Sequence, residues 1–234
     1  YPEDIGAFYR IGDYRAWAWT AHGRLPTNTP GWWGGAHPFT LLNWSVVHNG
    51  EISSYDANRR YVEQFGYDCE LQTDTEVITY LFDLLARRHG LSQQMAAHIM
   101  AAPSWREIDA MEPDRAAFET ALRTVYASAL VNGPFSIIVG SEEGLLALND
   151  RLKLRALMVA EKGPMVYLAS EQAAIQVVCP DAENVRSIEG GVPFVVQRDD
   201  VAAAKAGEAA ENRAVRDWPL EHEVGVLPRK RMEA

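Results

Sequence analysis

At Asn132-Gly133-Pro134 the hydrophobic period of this chain changes. Upstream, apolar residues recur at helical spacing; downstream they fall into short β-rich runs separated by turn residues. Residues 56–65 read as a helix closed by Gly66 at a C′ position. Thr73-Asp74-Thr75-Glu76 opens the next, with Thr73 and Glu76 at capping-box spacing and Val77, Ile78, Leu81, Leu84 and Leu85 along one face. That helix is expected to run to about His89, ahead of Gly90. Further helices are expected over 92–100 and 114–131. Beyond Pro134 the strand candidates are 135–140, 145–148, 157–160, 165–169, 175–178 and 194–197. Short strands and loops, then helices, then many strands describe an α+β chain and not a strictly alternating βαβ one.

The remaining segments carry weaker patterns. Tyr1-Pro2-Glu3-Asp4-Ile5 looks like the entry to a helix already under way. Residues 20–52 are rich in Gly, Pro, Thr, Asn and Trp and read as loops around short strands, with a β-rich run at 44–48. Asn49-Gly50 follows that run directly, a pair that favours a tight turn. Residues 202–213 are Ala- and Glu-rich and suggest a helix; 217–234 read as irregular, with Arg229-Lys230-Arg231 a solvated end.

Composition removes several function classes. The chain has 234 residues, one large domain or two small ones at ~150 residues each. With 32 acidic and 22 basic residues its net charge is −10, and no segment is strongly basic, so a dedicated nucleic-acid surface is not expected. No apolar run approaches the ~18–20 residues of a membrane span. The two cysteines, Cys69 and Cys179, stand far apart and make no disulfide framework, which fits a reducing, cytoplasmic setting.

Chemistry concentrates in the clusters around 21–29, 34–52 and 73–77. Arg24 offers a planar, permanent positive fork suited to a carboxylate. Asp74 stands in the first turn of a helix, where a carboxylate is stabilised and can face an ammonium group. Asn49-Gly50 offers a side-chain amide and a backbone N–H in a sharp turn, a pair able to stabilise an oxyanion. Together these suggest a pocket for a small zwitterion. Each has a plainer reading: a surface ion pair for Arg24, a helix-start charge for Asp74, a hairpin turn for Asn49-Gly50. His22, His37 and His48 match no zinc spacing. Cys69 lies between Asp68 and Glu70, neighbours that disfavour a thiolate. Cys179, ahead of Pro180 at the end of a strand candidate, reads as structural. Trp32-Trp33, flanked by glycines, reads as a loop anchor rather than a stacking platform.

Taken in order, H-G-R-L-P-T-N-T (22–29), A-H-P-F (36–39), V-V-H-N-G-E-I (46–52) and T-D-T-E-V (73–77) resemble the class II glutamine amidotransferase domain, a member of the N-terminal-nucleophile hydrolases. The Thr-Asn-Thr after Arg24 and the run G-W-W-G-G-A-H-P-F resemble the stand-alone amidotransferase subunit of archaeal-type glutamate synthases. Residues 132–140, 149–155 and 169–175 are similar to the second half of that family. The resemblance implies a four-layer α/β/β/α sandwich. It implies that Arg24 grips the glutamine α-carboxylate, that Asp74 holds its α-ammonium, and that Thr27, Asn28 and His37 line the pocket. Asn49 and Gly50 would form the oxyanion hole, with Glu51 in the same binding segment. The implied reaction releases ammonia from glutamine for a partner synthase. FMN and an iron–sulfur cluster would sit on that partner, and no cofactor is expected in this chain.

One departure from the family pattern is Leu25-Pro26 after the Arg, where Pro26 is expected to stiffen the loop. The larger departure is the nucleophile. The family begins with Cys-Gly-Ile; here position 1 is Tyr1, and both cysteines are internal. The expectation is therefore an amidotransferase domain over residues 1–200 lacking its N-terminal strand and its Cys, a C-terminal extension over 201–234, and no glutaminase activity from these residues alone. A longer natural polypeptide with the Cys upstream is one account. A catalytically dead glutamine-binding regulatory subunit is the other.

Overall fold

A computed structural model describes residues 2–23 and 31–198. Helix α1 (Pro2–Phe8) and a short 3-10 turn lead into coil. Strands β1 (Phe39–Leu41) and β2 (Trp44–Gly50) form a hairpin. Helices α2 (Tyr55–Glu63), α3 (Asp74–Asp83), α4 (Gln93–Met100), α5 (Trp105–Asp109) and α6 (Pro113–Val125) follow. Then come β3 (Phe135–Ser141), β4 (Gly144–Asn149), β5 (Met158–Lys162), β6 (Met165–Ala169), α7 (Gln172–Val178), β7 (Glu183–Ser187) and β8 (Phe194–Gln197).

The strands build two antiparallel sheets, in the orders β1-β2-β3-β4-β8 and β6-β5-β7. The helical layer packs on one face of the five-stranded sheet. Val77, Ile78, Leu81, Phe82, Leu85 and Met100 from the helices meet Val46, Phe135, Ile137, Val139, Leu146 and Leu148 from the strands in the main core. The opposite face meets the three-stranded sheet through Ala147 and Phe194 against Leu157, Val159 and Ile188. Ala160 is fully buried on the other face of β5, beside its register partner Tyr167. Tyr167 reaches Cys179 at the end of α7, so α7 covers that face as a fourth layer. The expected α/β/β/α layering is therefore present.

The helical block matches the sequence pattern in order, with shifts at its ends. Thr73 does precede α3, but its side chain makes no capping bond. Glu76, its expected partner, is instead buried and accepts the N–H groups of Glu70 and Leu71 at 3.0 and 2.9 Å. The capping box is found at α5, which the periodicity did not announce: Ser104 and Glu107 cap each other. Past Asp83 the helix continues as a π-turn over Leu84–Arg88.

Two strand expectations change. Residues 175–178 are the end of α7, not a strand, because a four-residue apolar run carries no period of its own. Ile175 points inward while Val177 and Val178 are 83% and 72% exposed. Cys179 accordingly ends a helix. β7 was hidden by its polarity; its Arg186 pairs with Glu161 of β5 at 3.1 Å. The helix expected over 202–213 and the 201–234 extension lie outside the described residues.

Candidate functional site

Asn49-Gly50 is not a hairpin turn. β2 continues through both residues, with Asn49 opposite Ser136 and Gly50 opposite Phe135. The turn signal is overridden because β3 supplies a ladder partner up to Gly50. Gly50 sits at φ +144°, and a Cβ there would lie 2.0 Å from the Pro134 carbonyl oxygen, so the close approach of the two strands requires glycine. Just beyond, Glu51 donates its N–H to Pro134 O at 3.0 Å. In an antiparallel ladder the N–H directions alternate. The Gly50 N–H therefore lies on the side of β2 away from β3, past the point where β1 has ended at Phe39 opposite Val46.

The start of α3 closes on this strand end. Asp74, its first residue, accepts the Ile52 N–H on Oδ2 at 2.9 Å. Thr75, fully buried, bonds His37 Nε2 through its Oγ1 at 2.6 Å. The His37 ring lies 4.3 Å from that of His22, which brings the H-G segment against the A-H-P-F segment. His48 is buried on β2, and its pKa is lowered to about 3, first by burial and then by repulsion from His37, His22 and Arg155. It is a neutral imidazole near pH 7. No group of three or more His, Cys, Asp or Glu able to hold a metal occurs among the described residues.

Asn49 itself is held at two points. Its Nδ2 donates to Ser170 Oγ at 3.0 Å, and its backbone oxygen accepts from Ser136 Oγ at 3.4 Å. Ser170 comes directly after β6, so the bond crosses from one sheet to the other. Asn149 occupies the same row of the five-stranded sheet, opposite Ser136 on β4, and donates from Nδ2 to the Arg155 carbonyl at 2.7 Å. Asp150 anchors the turn that follows by accepting from Leu152, Leu154 and Arg155 N–H groups.

Among the expected site residues, His37, Asn49, Gly50 and Asp74 thus converge on one strand end and one helix start. Glu51 joins them by sequence, with its side chain exposed. Arg24, Thr27 and Asn28 lie outside the described residues. Thr75, Ser136 and Ser170 were not singled out by sequence reasoning; all three lie within the motif segments 73–77, 132–140 and 169–175, and that proximity was their only signal. Neither cysteine is part of this arrangement. Cys69 is buried near Glu76, and burial pushes its thiol up to about 12, with Glu76 and Glu63 adding to the effect. Cys179 is buried at the end of α7, its Sγ 3.4 Å from Asp181 Oδ1. Trp32 packs its ring against Gly34, whereas Trp33 is 78% exposed, so one of the pair anchors the loop.

The family model for class II glutamine amidotransferases matches residues 2–213. The chain belongs to that family. An uncharacterized protein of Archaeoglobus fulgidus is 48% identical over 196 residues, 83% of this chain and 52% of its own length. The glutamine–fructose-6-phosphate aminotransferase of Pseudomonas aeruginosa is 31% identical over 212 residues, 86% of this chain and 30% of the relative. This amidotransferase chain thus spans about half the length of the archaeal relative and under a third of the bacterial one. Among solved structures, an allosteric regulatory enzyme of purine biosynthesis aligns with TM-score 0.53 at 19% identity, over 75% of this chain and 32% of that one. The glutamine phosphoribosylpyrophosphate amidotransferase of B. subtilis aligns with TM-score 0.50 at 18% identity, over 74% and 32%. These likenesses establish the fold as that of the N-terminal-nucleophile amidotransferases. Among the described residues no helix is long and apolar enough to cross a membrane.

Proposed function

We propose that this domain binds glutamine at the strand end and helix start described above. In the intact system it would release the side-chain ammonia to a glutamate synthase-type partner. The observation that carries the reading is the Asp74–Ile52 bond, which sets a carboxylate beside the strand end bearing Asn49 and Gly50. In this reading Asp74 holds the α-ammonium of glutamine, and Arg24 takes its α-carboxylate. His37, fixed by Thr75, lines the pocket with Thr27 and Asn28. A thiolate attacks the side-chain amide carbon, the carbonyl electron pair moves onto oxygen, and Asn49 Nδ2 and the Gly50 N–H receive that oxyanion. The proton removed from the thiol is delivered to the amide nitrogen, so collapse of the intermediate breaks the C–N bond and expels ammonia; water then cleaves the thioester, giving glutamate and restoring the thiol.

Neither Cys69 nor Cys179 is suited to be that nucleophile: both are internal and buried, and burial pushes the Cys69 thiol up to about 12. These 234 residues alone are therefore proposed to bind glutamine without turning it over. The Trp32-Trp33-Gly34-Gly35 run and the Thr27-Asn28-Thr29 run support the glutamate synthase branch. Flavin and iron–sulfur chemistry would then belong to the partner. Titration calorimetry with L-glutamine tests the binding, and an ammonia-release assay tests the inactivity. Saturable binding without ammonia release is expected; absence of binding overturns the pocket, and sustained release overturns the inactivity. If the native polypeptide also lacks a terminal Cys, the same pocket serves a glutamine-sensing subunit.

A further inference from the structure

Asn49 carries an amide group with two N–H donors and rotates freely about its last bond unless something holds it. One of those donors points across the sandwich to Ser170 Oγ at 3.0 Å. Ser170 is placed by β6, whose five residues are in register with β5 from Met158–Ala169 to Lys162–Met165. Its oxygen is therefore fixed by the second sheet, independently of β2. The backbone of Asn49 is fixed from the other side, by its pairing with Ser136 on β3.

Resting on the glutamine-pocket reading, we propose that Ser170 is a positioning residue for the oxyanion hole. It takes one Nδ2 hydrogen of Asn49 and so fixes the carboxamide plane. The second hydrogen is left to donate to an anionic oxygen beside Gly50. This assigns a role to Ser170 in the 169–175 segment, which the pocket residues themselves leave unexplained. A donor aimed before charge develops costs no reorientation when it does. Ser170 touches neither glutamine nor the reacting atoms in this arrangement, so its loss acts through Asn49 alone.

Product glutamate probes the hole without any turnover, because its γ-carboxylate brings a negative oxygen to where glutamine has a neutral amide. The experiment is calorimetric titration of the full 234-residue chain with L-glutamate and with L-glutamine. It compares wild type, Ser170→Ala, Ser170→Thr, Asn49→Ala and the Asn49→Ala/Ser170→Ala pair, each first shown to unfold cooperatively. Ser170→Ala is expected to weaken glutamate roughly three- to tenfold, the scale of one hydrogen bond. Glutamine should stay within about twofold on the same argument. Ser170→Thr, which keeps the hydroxyl, should restore glutamate affinity. In the Asn49→Ala background, Ser170→Ala should add nothing further. Equal loss of both ligands, no loss of either, or an undiminished effect in the Asn49→Ala background overturns the positioning role. A wild-type chain that binds neither ligand overturns the pocket reading itself, and the role of Ser170 with it.

Discussion

Asp74 Oδ2 accepts the Ile52 N–H at 2.9 Å, and this one bond ties the start of α3 to the strand end that carries Asn49 and Gly50. The carboxylate is thus structural and electrostatic at once, and substitutions separate the two roles. Asp74→Asn keeps an acceptor for Ile52 and removes the charge. It should cost under ~1 kcal/mol of stability while weakening glutamine binding tenfold or more. Asp74→Ala removes both and should also cost ~1–3 kcal/mol in urea unfolding, since it orphans the Ile52 N–H. Unchanged glutamine affinity in Asp74→Asn would remove Asp74 from the pocket.

Gly50 is required by space and by backbone angle together. At φ +144° and with Pro134 O at 2.0 Å from any added Cβ, Gly50→Ala forces β2 and β3 apart. The expected loss is ~2 kcal/mol or more, read as a lower urea midpoint with little change of slope. A stable Gly50→Ala variant would show that the strands separate at little cost.

Asp83 holds a buried polar knot at the other end of α3 from Asp74. It accepts from Trp44 Nε1 at 3.0 Å, from Tyr67 Oη at 2.5 Å and from both arms of Arg87 at 2.7 Å. Burial opposes its charge, but these donors, Arg87 first, hold its carboxyl below the usual range. Asp83→Ala takes the acceptor from Trp44 and Tyr67, while half-exposed Arg87 turns to water, and should cost roughly 2–4 kcal/mol in urea unfolding. Asp83→Asn, which keeps the size and one acceptor, should recover part of that loss. A change below ~1 kcal/mol for Asp83→Ala would mean that the cluster relaxes or takes up water.

His48 makes folding sensitive to acid. Its folded pKa is about 3 against 6.5 in the unfolded chain, so the unfolded state binds the proton first as pH falls. Its contribution to stability is complete above ~6.5 and is lost progressively as pH falls from there toward about 3. Denaturant titrations at pH 7.5 and pH 5 should show wild type losing more stability over that interval than His48→Gln. Parallel losses would indicate that the carboxylates alone set the acid limit.

Much of the architecture was legible because burial patterns are local. Val77, Ile78, Leu81 and Leu85 recur at helical spacing, and they are the residues that α3 buries against the five-stranded sheet. The strands 135–140 and 145–148 were visible for a similar reason: their apolar runs are covered on both faces. α7 and β7 were not legible. One is a short apolar helix with exposed valines, and the other is a polar edge strand, so burial wrote no pattern into either. The Asn49-Gly50 pair was misread in conformation, because a turn propensity of two residues yields to a ladder partner arriving from residues 134–136.

The chain's own residues determined the family and the order of most helices and strands, and they marked Arg24, Asn49, Gly50 and Asp74 as candidates, because each of these follows from residue type and near neighbours. Tertiary structure alone decided that Asp74 meets Ile52, that His37 meets Thr75, and that Ser170 meets Asn49 across 121 positions. Those contacts depend on how two sheets and a helix pack against one another. Packing is a property of many distant side chains at once, so no local stretch of sequence contains it.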